Sequence, residues 1–175
     1  MAGSLIKIDE EIVTSAVASV ELGGSDWDSS YDVYMVQIRD IAPVTDNVKL
    51  TARVLESSTP NTTANYDFAN KVLKTASAHE NDSATNLTAW ELTDQELGTG
   101  TQETGYGTIY IFNANNSGEY TFITNEFVCR DDNGYLFGNQ GGGVFTSTSS
   151  VNGLQFLMAS GNIAQGKFTL YGLKK

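Results

Sequence analysis

Turn signals recur along this chain about every ten to twelve residues, and most segments between them alternate apolar and polar side chains. That rhythm leaves little room for helices. A half-buried strand needs a two-residue period, whereas a helix needs a longer run with a period near 3.6. The clearest strand signals are Tyr31 to Ile41 and Val48 to Leu55. In the first, Tyr31, Val33 and Met35 share one face, and Tyr34, Val36 and Ile38 the other. In the second, Val48, Leu50, Ala52 and Val54 share a face. The turn at Pro43 and Thr45-Asp46-Asn47 predicts that these two strands pair as an antiparallel hairpin with a longer loop.

The same rule places a strand or small-residue helix at Ile12 to Val20, ended by Gly23-Gly24-Ser25. Residues 56–105 are more polar and less regular, and read as a surface insertion. Asn65 to Lys74 is either a short strand or a helical turn. Thr93-Asp94-Gln95-Glu96 fits a helix-starting capping box with Gly98 as a stop, so at most one helical turn is expected there. From Gly105 strands return quickly: Gly107 to Phe112, Glu119 to Thr124 and Phe127 to Arg130. A turn at Asn133-Gly134 then leads into Tyr135 to Phe137. Gly141-Gly142-Gly143 reads as a flexible loop or close backbone contact before Val144 to Thr146. Leu154 to Met158 and Lys167 to Leu173 follow. The expected fold is all-β, an antiparallel β-sandwich or jelly roll with at most one short helix. It forms a single domain over 1–175, with Met1 to Glu10 as an N-terminal arm.

Charge narrows the partners. The chain carries 21 acids and 10 Lys or Arg, a formal net charge of −11, which disfavours nucleic acid and anionic membrane surfaces. No acid follows Asp132, so the final quarter is almost uncharged and reads as core strands or a contact surface. No stretch has the apolar length of a membrane span, and no secretion signal is visible at the start. The sequons at Asn61, Asn81, Asn86 and Asn115 are expected from composition alone.

Chemistry-bearing residues are sparse. The chain has one cysteine, Cys129, inside an apolar run, and one histidine, His79, in a polar stretch. A buried small apolar role suits the first and a surface position the second. No Gly-x-Ser-x-Gly elbow or phosphate loop is present. Asp26, Asp28, Asp131 and Asp132 occupy turn-like segments, and neither aspartate cluster has calcium-loop spacing. The expectation is therefore no enzyme, with no catalytic residue, cofactor or metal. Trp27, Trp90 and Tyr106 lie in or near polar loops and are the candidate surface contacts for a glycan or a protein. For Trp27 the alternative is a lid folded back on the core.

Three stretches carry a family resemblance. The first runs from Trp27-Asp28-Ser29-Ser30-Tyr31-Asp32-Val33-Tyr34 through Ile38-Arg39-Asp40-Ile41-Ala42-Pro43-Val44-Thr45-Asp46-Asn47, with Leu50 and Arg53. The second is the tail, Gly161-Asn162-Ile163-Ala164 and Phe168 to Lys174. The third is the opening Met1 to Ile8. Together they resemble small β-sandwich virion proteins of tailed bacteriophages, most of all those of aquatic phages. The resemblance implies a jelly-roll-like subunit, homo-oligomeric and often trimeric, assembled in the host bacterial cytoplasm into the virion. Within that class the leading expectation is a capsid decoration or cement protein bound to the major capsid protein. The alternative is a tail- or fibre-associated subunit that binds a receptor glycan. The resemblance brings no catalytic residues with it.

Overall fold

Alternation in this sequence is realised as two stacked antiparallel sheets of unequal size. The computed structural model describes residues 4–75, 79–93, 97–131 and 133–174. The strands, in chain order, are β1 (Ser4–Val13), β2 (Ser19–Gly23), β3 (Val33–Pro43), β4 (Leu50–Glu56), β5 (Thr59–Pro60), β6 (Tyr66–Lys74) and β7 (Glu80–Leu87). They continue with β8 (Trp90–Glu91), β9 (Gly105–Phe112), β10 (Thr121–Arg130), β11 (Leu136–Phe145), β12 (Gly153–Met158) and β13 (Ile163–Lys174). The larger sheet has the order β1-β13-β3-β9-β10-β11-β6-β7. The smaller has β2-β12-β4-β5, with β8 also on β4. Among the described residues the only helical element is a 3-10 turn at Gly24–Asp26. The all-β sandwich expected from the sequence is the fold.

The core fills the space between the sheets. Val36, Ile38, Ile109 and Ile111 point in from the larger sheet, and Leu50, Ala52, Val54 and Phe156 from the smaller; all are fully buried. β10 shows the pattern most cleanly, with buried and exposed residues alternating over its whole length. The uncharged final quarter supplies interior strands. β13 lies between β1 and β3, and β12 between β2 and β4.

Several expectations need correction. The predicted hairpin of the Tyr31 and Val48 segments does not form: β3 pairs with β13 and β9, whereas β4 pairs with β12, β5 and β8. The connection after Pro43 carries the chain from one sheet to the other, so the two apolar faces meet across the core. Residues 4–10, read as an arm, belong to β1, which pairs along β13. Segment 56–105 contributes β6, whose Tyr66, Phe68 and Val72 are core residues, and β7 beside it. Ile12 to Val20 is split, because β1 ends at Val13 and β2 starts at Ser19. Asp94, Gln95 and Glu96 of the expected capping box lie outside the described residues. The Thr93 side chain accepts a hydrogen bond from the Leu50 N–H at 3.0 Å.

Of the two readings of Gly141-Gly142-Gly143, flexible loop or close backbone contact, the structure has the second: β11 runs straight through it. Crowding explains the composition. A Cβ on Gly141 would lie 2.2 Å from the Ala69 carbonyl oxygen, one on Gly142 2.7 Å from that of Ile123, and one on Gly143 2.6 Å from the Trp90 ring. Glycine is the only residue that permits such close approach.

Trp90 is the largest fully buried side chain, not a surface contact. Its indole N–H donates to the Val144 carbonyl at 3.1 Å, and its ring meets Tyr66 edge-on at 5.1 Å between centroids. On the backbone, Trp90 pairs with Ala52 of β4. Of the polar residues beside it in sequence, Thr88 is exposed, Glu91 accepts from Lys49 at 2.7 Å, and Thr93 meets the buried Leu50 N–H. We expect Trp90→Ala to cost about 3–5 kcal/mol and Gly143→Ala about 1–3 kcal/mol through overpacking. Chemical denaturation of each variant checks both values.

Candidate binding face

The outward faces of the two sheets differ in kind. On the smaller sheet, Glu21, Gln155 and Arg53 stand side by side across β2, β12 and β4. They bond to one another and to the backbone beside them: Gln155 Nε2 donates to Glu21 at 2.9 Å, and the Arg53 guanidinium donates to Gln155 Oε1 at 3.5 Å and to the Thr88 carbonyl at 3.1 Å. On the larger sheet the outward face carries Leu5, Ile12, Leu73, Tyr106, Tyr110, Phe122, Val128 and Leu136, all exposed. Exposed apolar side chains gathered on one face mark an interaction surface better than scattered ones do.

Strand register arranges this face in rows. One row is polar: Gln37 lies opposite Thr108, Thr108 opposite Glu126, Glu126 opposite Gln140, and Gln140 opposite Lys71. The Gln140 amide donates to Glu126 Oε1 at 2.7 Å, and Lys71 donates to Asn81 at 3.1 Å. The side chains of Gln37 and Thr108 make no hydrogen bond to another described residue, so their polar groups face outward uncommitted. Beside this row stands a second, Tyr106, Val128, Gly138 and Leu73. Between the two rows lies a hollow of about 520 Å³, lined by Gln37, Arg39, Tyr106, Thr108, Glu126 and Gln140 among others. A second hollow of about 240 Å³ adjoins it and shares Thr108, Glu126 and Gln140. The arrangement suits recognition through hydrogen bonds and ring stacking.

Of the three aromatics singled out in the sequence, Tyr106 alone sits on this face. Its hydroxyl donates to the Asp40 carboxylate, which fixes the ring at the rim of the hollow. Trp27 is folded back. Its ring stacks on Tyr34 at 3.8 Å, and its indole N–H donates to Asn115 Oδ1 at 2.9 Å. The Asn115 amide in turn donates to the Tyr31 carbonyl at 2.9 Å and the Tyr34 hydroxyl at 2.8 Å. Burial raises the Tyr34 phenol above its ordinary range, so it stays a donor, to the Asp28 carbonyl at 2.7 Å. Sequence reasoning missed the polar row because its members come from five strands with no local motif. Their outward phase in each strand was the available signal.

The remaining candidates are occupied structurally. Asp28 accepts from the Ser30 N–H at 2.9 Å, and hydrogen bonding to Ser30 lowers its carboxyl below the ordinary range. Asp131 accepts from the Tyr135 N–H at 2.7 Å within the β10–β11 turn. Among the described residues no three His, Cys, Asp or Glu side chains converge as metal ligands. His79 is exposed. Burial, with a smaller contribution from Asp131, pushes the Cys129 thiol up to about 12.

Two outcomes follow. Asn115→Ala strands the Trp27 indole N–H and removes one of the two hydrogen bonds at the Tyr34 hydroxyl, costing about 1–3 kcal/mol, with a red shift of tryptophan fluorescence as the check. Cys129 stays protonated in the folded chain while the unfolded thiol ionises near its ordinary value. The unfolded state therefore holds fewer protons at high pH, and this group makes stability fall as pH rises above about 8.5. Denaturation midpoints of wild type and Cys129→Ala between neutral and alkaline pH should show a smaller alkaline loss in the variant.

No protein-family model matches this chain, and a search of the curated proteins finds no significant match.

Proposed function

We propose that this chain is a structural subunit of a bacteriophage virion, a capsid decoration protein that docks on the capsid lattice through its β1 edge. On this reading it binds and stabilises and has no catalytic centre. Its partners are the major capsid protein and further copies of itself, with a trimer as the favoured oligomer.

The observation that carries the proposal is the character of β1. It is a ten-residue strand at the margin of the larger sheet, bonded on one side to β13. Leu5, Ile6 and Ile12 on it are 50%, 40% and 57% exposed, an unusual apolar load for a margin whose free backbone groups invite pairing. The opposite margin is protected. β7 presents Glu80, Asn81, Asp82 and Ser83 and contains Asn86 at φ 58°, a left-handed residue that interrupts a regular edge. An edge left open on one side only, and made sticky there, suits strand addition to one neighbour in a defined direction. Repetition over many copies would turn a modest interface into firm attachment. The likeness of the opening segment to phage virion proteins supports the same placement.

Particles assembled with a Leu5→Lys, Ile12→Lys double variant test the reading. Both side chains are exposed, so the thermal midpoint should stay within a few degrees of wild type. Incorporation into heads should fall at least tenfold by quantitative protein staining. Normal incorporation, or wild-type density located only on the tail by electron microscopy, would contradict the proposal.

A further inference from the structure

We infer that the hollow on the larger sheet is a binding site for a neutral oligosaccharide, with Gly138 kept free of a side chain so that a sugar ring can enter. β11 contains Gly138, Gly141, Gly142 and Gly143. The last three are required by packing, since a Cβ on each would come within 2.7 Å of a neighbour. Gly138 has no such reason. A Cβ there would first meet Leu73 at 3.5 Å, an ordinary van der Waals contact. Its backbone is ordinary extended strand, where glycine weakens the sheet relative to alanine. An unforced glycine in a strand marks a place where something else approaches the backbone closely.

Its surroundings say what that something is. Gly138 lies between Val128 and Leu73, each more than 40% exposed, so it forms a notch about 10 Å across from strand to strand. The notch opens onto the 520 Å³ hollow, a volume within the range of small-ligand sites. Gln37 and Thr108 bring uncommitted amide and hydroxyl groups. The Glu126–Gln140 pair leaves a carboxylate oxygen and an amide oxygen to accept. Tyr106, tethered to Asp40, offers a fixed ring face. Neighbouring acceptors and donors at strand spacing beside an aromatic face match a molecule with hydroxyls around its edge and C–H groups on its faces.

Other occupants fit less well. The hollow lies on interior strands whose backbone groups are already paired, so a peptide could not add as a strand. A second copy packed face to face would bury the Glu126 carboxylate with only the Gln140 amide to offset its charge. One acid, Glu126, and one base, Arg39, line the hollow, so it is near neutral in a chain of net charge −11. A polyanion gains nothing there.

The test is titration of the full chain with neutral hexasaccharides of glucose, mannose, galactose and N-acetylglucosamine, and application to an array of bacterial surface polysaccharides. At least one neutral probe should bind saturably. Gly138→Val and Gln140→Ala should each weaken that binding at least tenfold, while Gly138→Ala should melt at or above the wild-type temperature. Absence of binding to every probe, binding only to acidic glycans, or affinity that survives Gly138→Val would overturn the inference. So would a Gly138→Ala variant that melts well below wild type. The site is separate from the β1 edge, so the Leu5→Lys, Ile12→Lys variant should retain sugar binding whatever its fate in particle assembly.

Discussion

The segment Trp90 to Thr93 holds the two sheets together, and much of the rest of the sequence follows from burying it. It pairs with β4 through Trp90 and Glu91, and the Leu92 N–H donates to the Leu50 carbonyl at 2.9 Å. On its other side it faces β6, β10 and β11 of the larger sheet. A backbone crossing a sandwich interior brings carbonyl groups that must find donors, at a cost of about 1–3 kcal/mol for each one left unmet. Three inward asparagines supply them. Asn70 donates to the Glu91 carbonyl at 3.1 Å, and Asn125 and Asn139 donate to that of Leu92 at 3.2 and 2.7 Å. The indole of Trp90 then fills the space left by Gly143, and Asn70 that left by Gly141. The asparagines and the glycine run are thus two halves of one packing solution.

The inward asparagines spend their amide N–H groups on these carbonyls, while the Asn70 and Asn139 amide oxygens and the Thr121 hydroxyl stay buried without a partner among the described residues; recognition falls to the outside. There the sheets divide the labour. The smaller presents a charge and amide set that is internally satisfied. The larger presents exposed aromatics, uncommitted polar groups and an open apolar margin. Strand order sets this division. The margins β1 and β7 are far apart in one wide sheet, so an edge contact and a face contact can be made at once without interfering.

What was legible in the sequence was phase. Alternation from Val48 to Val54 identified a buried face correctly, and Asn133-Gly134 located a real turn, with Gly134 at φ 86°, whereas the strands expected at Glu119 to Thr124 and Phe127 to Arg130 are one continuous β10. Phase does not reveal the neighbour, which is why β3 and β4 read as a hairpin although they lie in different sheets. Local composition misled at Trp90 and left two readings open at the glycine run and at Trp27, for physical reasons. The glycines of β11 read as either a loop or a close contact because what crowds them, Asn70, Ile123 and Trp90, is distant in sequence. Trp90 is flanked by exposed Thr88 and by Glu91, which pairs with Lys49, so from composition a core residue looked exposed. Trp27 read as either a surface contact or a lid on the core, and it is the lid; composition could not decide because its partner Asn115 lies in another loop. The binding face was least legible of all, since it is assembled from outward positions on five strands and only the register aligns them.

The account depends most on Trp90 being sealed between the sheets and bonded to Val144. Hydrogen–deuterium exchange of the Trp90 indole N–H, followed by NMR, measures that seal directly. The account predicts exchange as slow as the most protected amides, at a rate tracking global unfolding as denaturant is added. Exchange within seconds under native conditions, with the core amides still protected, would contradict it.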